Sequence, residues 1–426
     1  MRTVIAGANV YVNGSFQKLD ILLLNGVIRE LGPRVSVSSG DEVFHFDGCY
    51  LVPGFADVHV HLREPGFSYK ETIASGTQAA ARAGYSVVCA MPNLSPPPDT
   101  PEHLSRQLEI IRRDARVRVK PYACITMGQA GGGELVDFAA LAPDAFAFSD
   151  DGRGIQEKET MREAMRRVHA VGGMIAAHCE DNALLNGGYI HDGEYARVHG
   201  HRGISSQSES GQIARDIALV RETGCRYHVC HISTKESVEL IRSAKREGLP
   251  ITCETGPHYL TLTDQDLQED GRFKMNPPIR SAQDRAALIE GLLDGTIDVI
   301  ATDHAPHSRE EKSRGLEKSA MGIPGLETAF PVLYTQLVRT GIIPLELLIE
   351  KMAAAPRRIF SLGGEIVPGA PADFAVWEVD TPYKIRQEDF ITHGFGSPFE
   401  GMKVYGQVLL NIVDGSIVWQ RNSTEN

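Results

Sequence analysis

Between positions 53 and 361 short apolar runs alternate with longer stretches of helical periodicity. Eight runs read as strands: Phe55 to Leu62, Ser86 to Met91, Arg118 to Thr126, Ala145 to Ser149, Met174 to His178, Tyr227 to Ile232, Pro250 to Glu254 and Asp298 to Thr302. Among the intervening helices are Lys70 to Ala83, Glu157 to Val171, Ser208 to Thr223, Lys235 to Glu247 and Ala282 to Leu293, several with Gly at or near the stop. Strand and helix in strict alternation are the pattern of repeated βα units, and eight strands predict an α/β fold of the TIM (β/α)8 barrel type. On either side the period shortens to that of strands. Thr3 to Val12, Asp20 to Leu24 and Val27 to Leu31 are punctuated by Asn13-Gly14 and Asn25-Gly26. The far end repeats this in Asp373 to Val379, Lys403 to Leu410 and a hairpin from Val413 to Trp419 around Asp414-Gly415. Two distant segments of one character predict a small β-sandwich domain built from both termini. Residues 1–52 and 362–426 form its two parts, and 53–361 form the barrel.

A chain of 426 residues exceeds the ~250 to 300 at which one core stops growing, which suits a large domain with a small companion. Hydrophobic residues at 42%, charged at 23% and aromatic at 7% exclude a disordered or fibrous chain. Forty-three basic against fifty-five acidic residues give a net charge of −12 with no Lys/Arg-rich run, so nucleic acid is not an expected partner. The start, Met1-Arg2-Thr3-Val4-Ile5-Ala6, lacks a signal-like apolar region, and no run of 18 apolar residues occurs. A cytoplasmic protein without membrane contact is expected. The seven cysteines form no CxxC pair and sit mostly in apolar runs, as reduced core residues do.

Catalytic groups of such barrels come from the C-terminal ends of the strands, and the polar residues of this chain gather there. In His59-Val60-His61 the alternation of a strand puts both imidazoles on one face. His178 and His231 end the fifth and sixth strands. With Asp151 and Asp303 they make four imidazoles and two carboxylates, enough for two metal ions sharing a carboxylate and a water, with zinc the default. Arg63, two residues beyond His61, is expected on the same strand face, offering a fork for a carboxylate. Cys179 and Cys230 should turn away from the metals, and His304 away from Asp303. His258 is left unassigned. His191, His199 and His201 should be solvated.

Beyond the ligands, the run from Pro53-Gly54-Phe55-Ala56-Asp57-Val58-His59-Val60-His61-Leu62-Arg63 to Glu64-Pro65-Gly66 resembles the signature of the bacterial class I dihydroorotases, in the amidohydrolase superfamily. Ala301-Thr302-Asp303-His304-Ala305-Pro306-His307 is similar to their second signature, and the likeness includes Met91-Pro92-Asn93, Ser149-Asp150-Asp151-Gly152 and Met275-Asn276-Pro277-Pro278. The resemblance implies reversible cyclisation of carbamoyl aspartate to dihydroorotate in pyrimidine biosynthesis over two Zn2+. Many relatives bridge their metals with a carbamylated lysine, but this chain has none at the fourth strand. The family pattern puts the bridge on Asp151 and leaves Asp150 a supporting group. It makes Asp303 both ligand and catalytic base and acid, and gives substrate contacts to His61, Arg63, Asn93, Asn276, His307, Met321 and Gly322. The charged stretch from Ser308 to Lys318 is expected as a solvated run or a mobile lid closing with Met321-Gly322. A homodimer is the family's commonest form, and association with aspartate transcarbamoylase is a further expectation. The alternatives are a dihydropyrimidinase or allantoinase acting on uncharged rings, and a non-catalytic partner of that transcarbamoylase.

Overall fold

The computed structural model describes residues 2–421; Met1 and 422–426, the extreme ends of the expected terminal domain, lie outside the described residues. Among the described residues the central section forms two main parallel sheets, besides a short parallel pair of Ile190–His191 with Gly203–Ile204. One has the order Arg118–Pro121, Tyr85–Ala90, Phe55–Val60; the other runs Met174–Ala177, Arg226–Val229, Ile251–Thr255, Val299–Ile300. Single parallel bridges link their edges, from Ala123 to Phe148, Phe148 to Ile175 and Val60 to His304. The expected fourth strand, Ala145 to Ser149, is therefore only a bridge at Phe148, and the eighth shrinks from Asp298–Thr302 to two residues. Backbone bonds still tie both segments in, such as Ser149 N–H to the Ala123 carbonyl and Ala301 N–H to that of Thr255, and beyond them side-chain carboxylates take over. Asp150 accepts the backbone N–H groups of Ile125 and Thr126, and Asp57 accepts that of Thr302. A backbone donor bonded to a side chain is satisfied but cannot extend a sheet.

Helices cover the outside and start where capping residues stand. Thr72 and Ser281 form reciprocal capping boxes with Ser75 and Asp284, and Thr100 and Thr234 cap the helices Pro101–Asp114 and Lys235–Arg246. The helix after Thr100 fills the gap between the second and third expected strands.

Both termini share one six-stranded sheet, of order Ser416–Gln420, Lys403–Val413, Phe374–Lys384, Tyr50–Pro53, Asn9–Val12, Ser15–Lys18. The expected strand Thr3–Val12 is broken at Gly7, which takes φ +81, and its first half enters a separate four-stranded sheet. Both sheets contribute to one buried cluster that includes Ile5, Ile21, Val10, Leu51, Phe374 and Leu410. The six-stranded sheet is pinned to the central section: buried Asn411 donates Nδ2–H to the carbonyls of Ala81 and Tyr85 at 2.8 and 2.9 Å. Trp377 packs on Phe55 and Phe330, with ring centroids 5.3 and 4.1 Å apart. No helix among the described residues is long and apolar enough to cross a membrane.

Candidate metal centre

The Phe55–Val60 strand delivers His59, and His61 follows one residue past its end, their ring centroids 5.4 Å apart. His178, His231, Asp151 and Asp303 converge on this pair from the ends or edges of the other parallel strands, and all six are buried. Asp151 stands at the centre. Its Oδ1 lies 3.3 Å from His59 Nε2, 3.4 Å from His231 Nε2 and 3.7 Å from His178 Nδ1, while Oδ2 lies 3.5 Å from His61 Nε2. Asp303 Oδ1 lies 3.0 Å from His61 Nε2 and 3.5 Å from His59 Nε2. Asp150, by contrast, spends its carboxylate on Ile125, Thr126 and Gly131.

These residues fit a metal. Tetrahedral coordination at about 2.1 Å separates neighbouring ligand atoms by about 3.4 Å, the spacing seen around Asp151. His59 Nε2 and Asp151 Oδ1 are buried without a hydrogen-bond partner, although they face each other. Unpaired buried polar atoms are costly, and a shared cation satisfies both. The sets His59, His61, Asp151 and Asp151, His178, His231 each gather ligand atoms able to hold one ion, and Asp151 belongs to both.

The electrostatics point the same way. Burial alone would lower the His59 pKa, but the Asp151 and Glu254 carboxylates hold it well above the ordinary value. Burial would raise Asp151 too, yet the surrounding imidazoles, His59 first, keep its carboxyl well below the usual range. Carboxylates this strongly favoured in ionised form are ready-made cation ligands.

Behind the ligands stand groups that sequence reasoning missed. Glu254 accepts His59 Nδ1–H at 2.6 Å, His228 Nε2–H at 3.2 Å and the His231 backbone N–H at 3.3 Å. A carboxylate on the far nitrogen fixes a ligating imidazole's tautomer and raises its basicity. Glu180 lies 3.5 Å from His178 Nε2 and accepts Asn276 Nδ2–H at 2.9 Å. The signal available for Glu254 was only an acid ending an apolar strand. Cys230, expected to turn away, belongs to a cluster with His59 and Glu254, where burial pushes its thiol up and keeps it neutral. His258 is buried with Nε2 unpaired, and burial lowers its pKa to about 4.

The remaining expected site residues line the approach. Arg63 donates Nε–H to the Pro306 carbonyl at 3.3 Å, but strand alternation does not place it there: the strand has ended and Arg63 takes φ +60. His231 and Asp303 are also left-handed, at φ +31 and +46, so backbone strain gathers at the site. Asn93 donates to the Asp151 carbonyl at 2.7 Å, and the Oδ1 atoms of Asn93 and Asn276 are buried without partners. His307 gives Nε2–H to the Met321 carbonyl at 2.9 Å, and burial, then Arg63 and Lys70, push its pKa down to about 3. Gly322, at φ +134, lies against Ala305 with no space for a Cβ. The stretch Ser308 to Lys318 folds into the short helices Arg309–Lys312 and Gly315–Lys318 and is largely at the surface, apart from buried Lys312 and Leu316. His304 sits away from the ligands, its Nδ1 accepting the Gly325 N–H. His191 is buried near Arg280, and His201 contacts Tyr189 and Glu269, so these two are not solvated as expected.

Comparison with known proteins adds three findings. A family model described as dihydro-orotase-like matches residues 48–237. The dihydroorotase of a Geobacillus species is 49% identical over 418 residues, 97% of this chain and 98% of the relative, and that of Staphylococcus aureus is 48% identical over 420, covering 98% and 99%. Among solved structures, the L-hydantoinase (dihydropyrimidinase) from Arthrobacter aurescens superposes with a TM-score of 0.86 at 25% identity, over 99% of this chain and 96% of its own. The dihydropyrimidinase from Brevibacillus agri gives 0.86 at 21%, over 99% and 95%. The fold is TIM-barrel-like, and with these relatives it defines a cyclic amidohydrolase. Near-half identity over almost the full length then narrows the class, and the chain belongs to the dihydroorotase family.

Proposed function

We propose that this protein is a class I dihydroorotase of the amidohydrolase superfamily. It interconverts N-carbamoyl-L-aspartate and L-dihydroorotate in pyrimidine biosynthesis, using two zinc ions held by His59, His61, Asp151, His178, His231 and Asp303. The observation that carries the reading is the shared position of Asp151 between two ligand sets, together with full-length identity to proteins named dihydroorotase. Bound there, zinc supplies Lewis-acid charge that acidifies water and offsets an anionic oxygen.

The chain's own residues do the rest. Asp303 keeps one oxygen on His61 and His59 and leaves the other for proton transfer. In ring opening it takes the proton of the attacking water and delivers it to the departing ring nitrogen; in ring closure it runs the steps in reverse. Arg63 meets the substrate carboxylate as a charged fork, with Asn93 and His307 completing the cradle. The unpaired Asn276 Oδ1 is an acceptor free for a ring N–H. His61 borders the ring from the metal side, and Met321 and Gly322 cover it. The ladders and bridges are read as one closed (β/α)8 ring over 53–361, and the paired terminal sheets as a β-sandwich from 1–52 and 362–426. A cytoplasmic homodimer, able to associate with aspartate transcarbamoylase, completes the proposal.

The test compares zinc-loaded wild type with Arg63→Met on dihydroorotate and on uncharged dihydrouracil. Losing a bidentate charged contact lowers kcat/KM for dihydroorotate by about 100-fold or more, with little effect on dihydrouracil. Undiminished dihydroorotate turnover by the variant would refute the substrate assignment.

A further inference from the structure

Lys312 sits in the most charged stretch of the chain, yet only 1% of it is exposed, and it ranks among the largest fully buried side chains. Its Nζ donates to three carbonyl oxygens, those of Lys274 at 2.9 Å, Ala320 at 2.9 Å and Gly322 at 2.7 Å. Two of these flank Met321, whose own carbonyl takes the His307 Nε2–H. The third belongs to the residue two before Asn276, and it also accepts the Gly322 N–H at 3.0 Å. One ammonium thus ties together the segment bearing Asn276 and the segment bearing Met321 and Gly322. Three carbonyl dipoles aimed at one point repel one another, and a cation among them turns the repulsion into attraction.

We propose that Lys312 is a positioning residue for substrate: its ammonium sets the spacing between the Asn276 and Met321–Gly322 segments, and thereby the affinity for the ring, without touching the metal centre. This rests on the reading of those residues as substrate contacts. The charged groups facing Lys312 are few. Burial, and then Lys274, lower its pKa to about 7, against the weaker opposing pull of Asp270 and Glu311. The clamp is charged below that pH and loses its proton as pH rises through it.

The experiment measures KM and kcat for dihydroorotate, with bound zinc by mass spectrometry, for wild type and Lys312→Met. Three carbonyls left without a charged donor raise KM about tenfold, while kcat changes less than about threefold and zinc content equals wild type. Wild-type KM also climbs between about pH 6 and about pH 9, and Lys312→Met lacks that climb. An unchanged KM in the variant, or a loss confined to kcat or to zinc content, overturns the proposal. Should Lys312→Met not fold, a flat wild-type KM across that range overturns it by itself. A wild-type enzyme inert toward dihydroorotate but active on dihydrouracil defeats the proposed function instead, and this inference falls with it.

Discussion

Asp150 and Asp151 are neighbours in the chain with opposite duties. One carboxylate is consumed by backbone donors of the 125–131 loop, and the other has Oδ1 unpaired among imidazoles. Asp151→Asn is therefore expected to lose metal and at least ~10^3 of turnover, whereas Asp150→Asn keeps metal but loses about 1 to 3 kcal/mol in chemical denaturation. Glu254→Gln leaves the ligands intact and should weaken metal binding about 10- to 100-fold, read by competition with a chromogenic chelator. The histidines were legible in the sequence because a polar residue ending an apolar strand is conspicuous, and HxH announces itself by the period of two. Arg63 owes its position to the turn to φ +60 and not to a strand face, so the period of two does not locate it. Glu254 and Glu180 were missed because an isolated acid has no partner visible along the chain.

At the scale of elements, turn chemistry was the most readable feature. Asn13-Gly14, Asn25-Gly26 and Asp414-Gly415 all take positive φ at both positions, as tight two-residue hairpins require. Strand lengths were less readable. Alternation runs through Ala145–Ser149 and Asp298–Thr302, but pairing stops early where the Asp150 and Asp57 carboxylates take the N–H groups of Thr126 and Thr302, and nothing local signals that competition. Nor does the pattern of Thr3–Val12 reveal that Gly7 sends its halves into different sheets. The long strand Lys403–Val413 makes its own prediction through Asn411, whose amide bonds two carbonyls of the central section. Asn411→Ala removes both of these buried bonds and should cost about 1 to 3 kcal/mol of stability, measured by denaturant midpoint, with KM unaffected.

For the whole molecule, pH and metal both act on stability. Glu327 is held by Arg82 at 3.1 Å, yet burial pushes its carboxyl up to about 7 from 4.5. A folded pKa above the unfolded one means that its stabilising contribution is complete below 4.5 and fades as pH rises through about 7. Glu327→Gln should flatten that part of the stability profile, followed as Tm between about pH 5 and pH 8. Metal binds the folded chain alone, so chelation should lower Tm, by an amount matching about 4 kcal/mol at a thousandfold excess of metal over Kd. His61 and Asp303, facing each other across 3.0 Å, are 242 positions apart. During synthesis, then, the cage stays open on one side until the ribosome has passed Asp303, the last of the six residues to emerge. A chain cut short anywhere before Asp303 would therefore lack one wall of the cage, however well its first strands had paired.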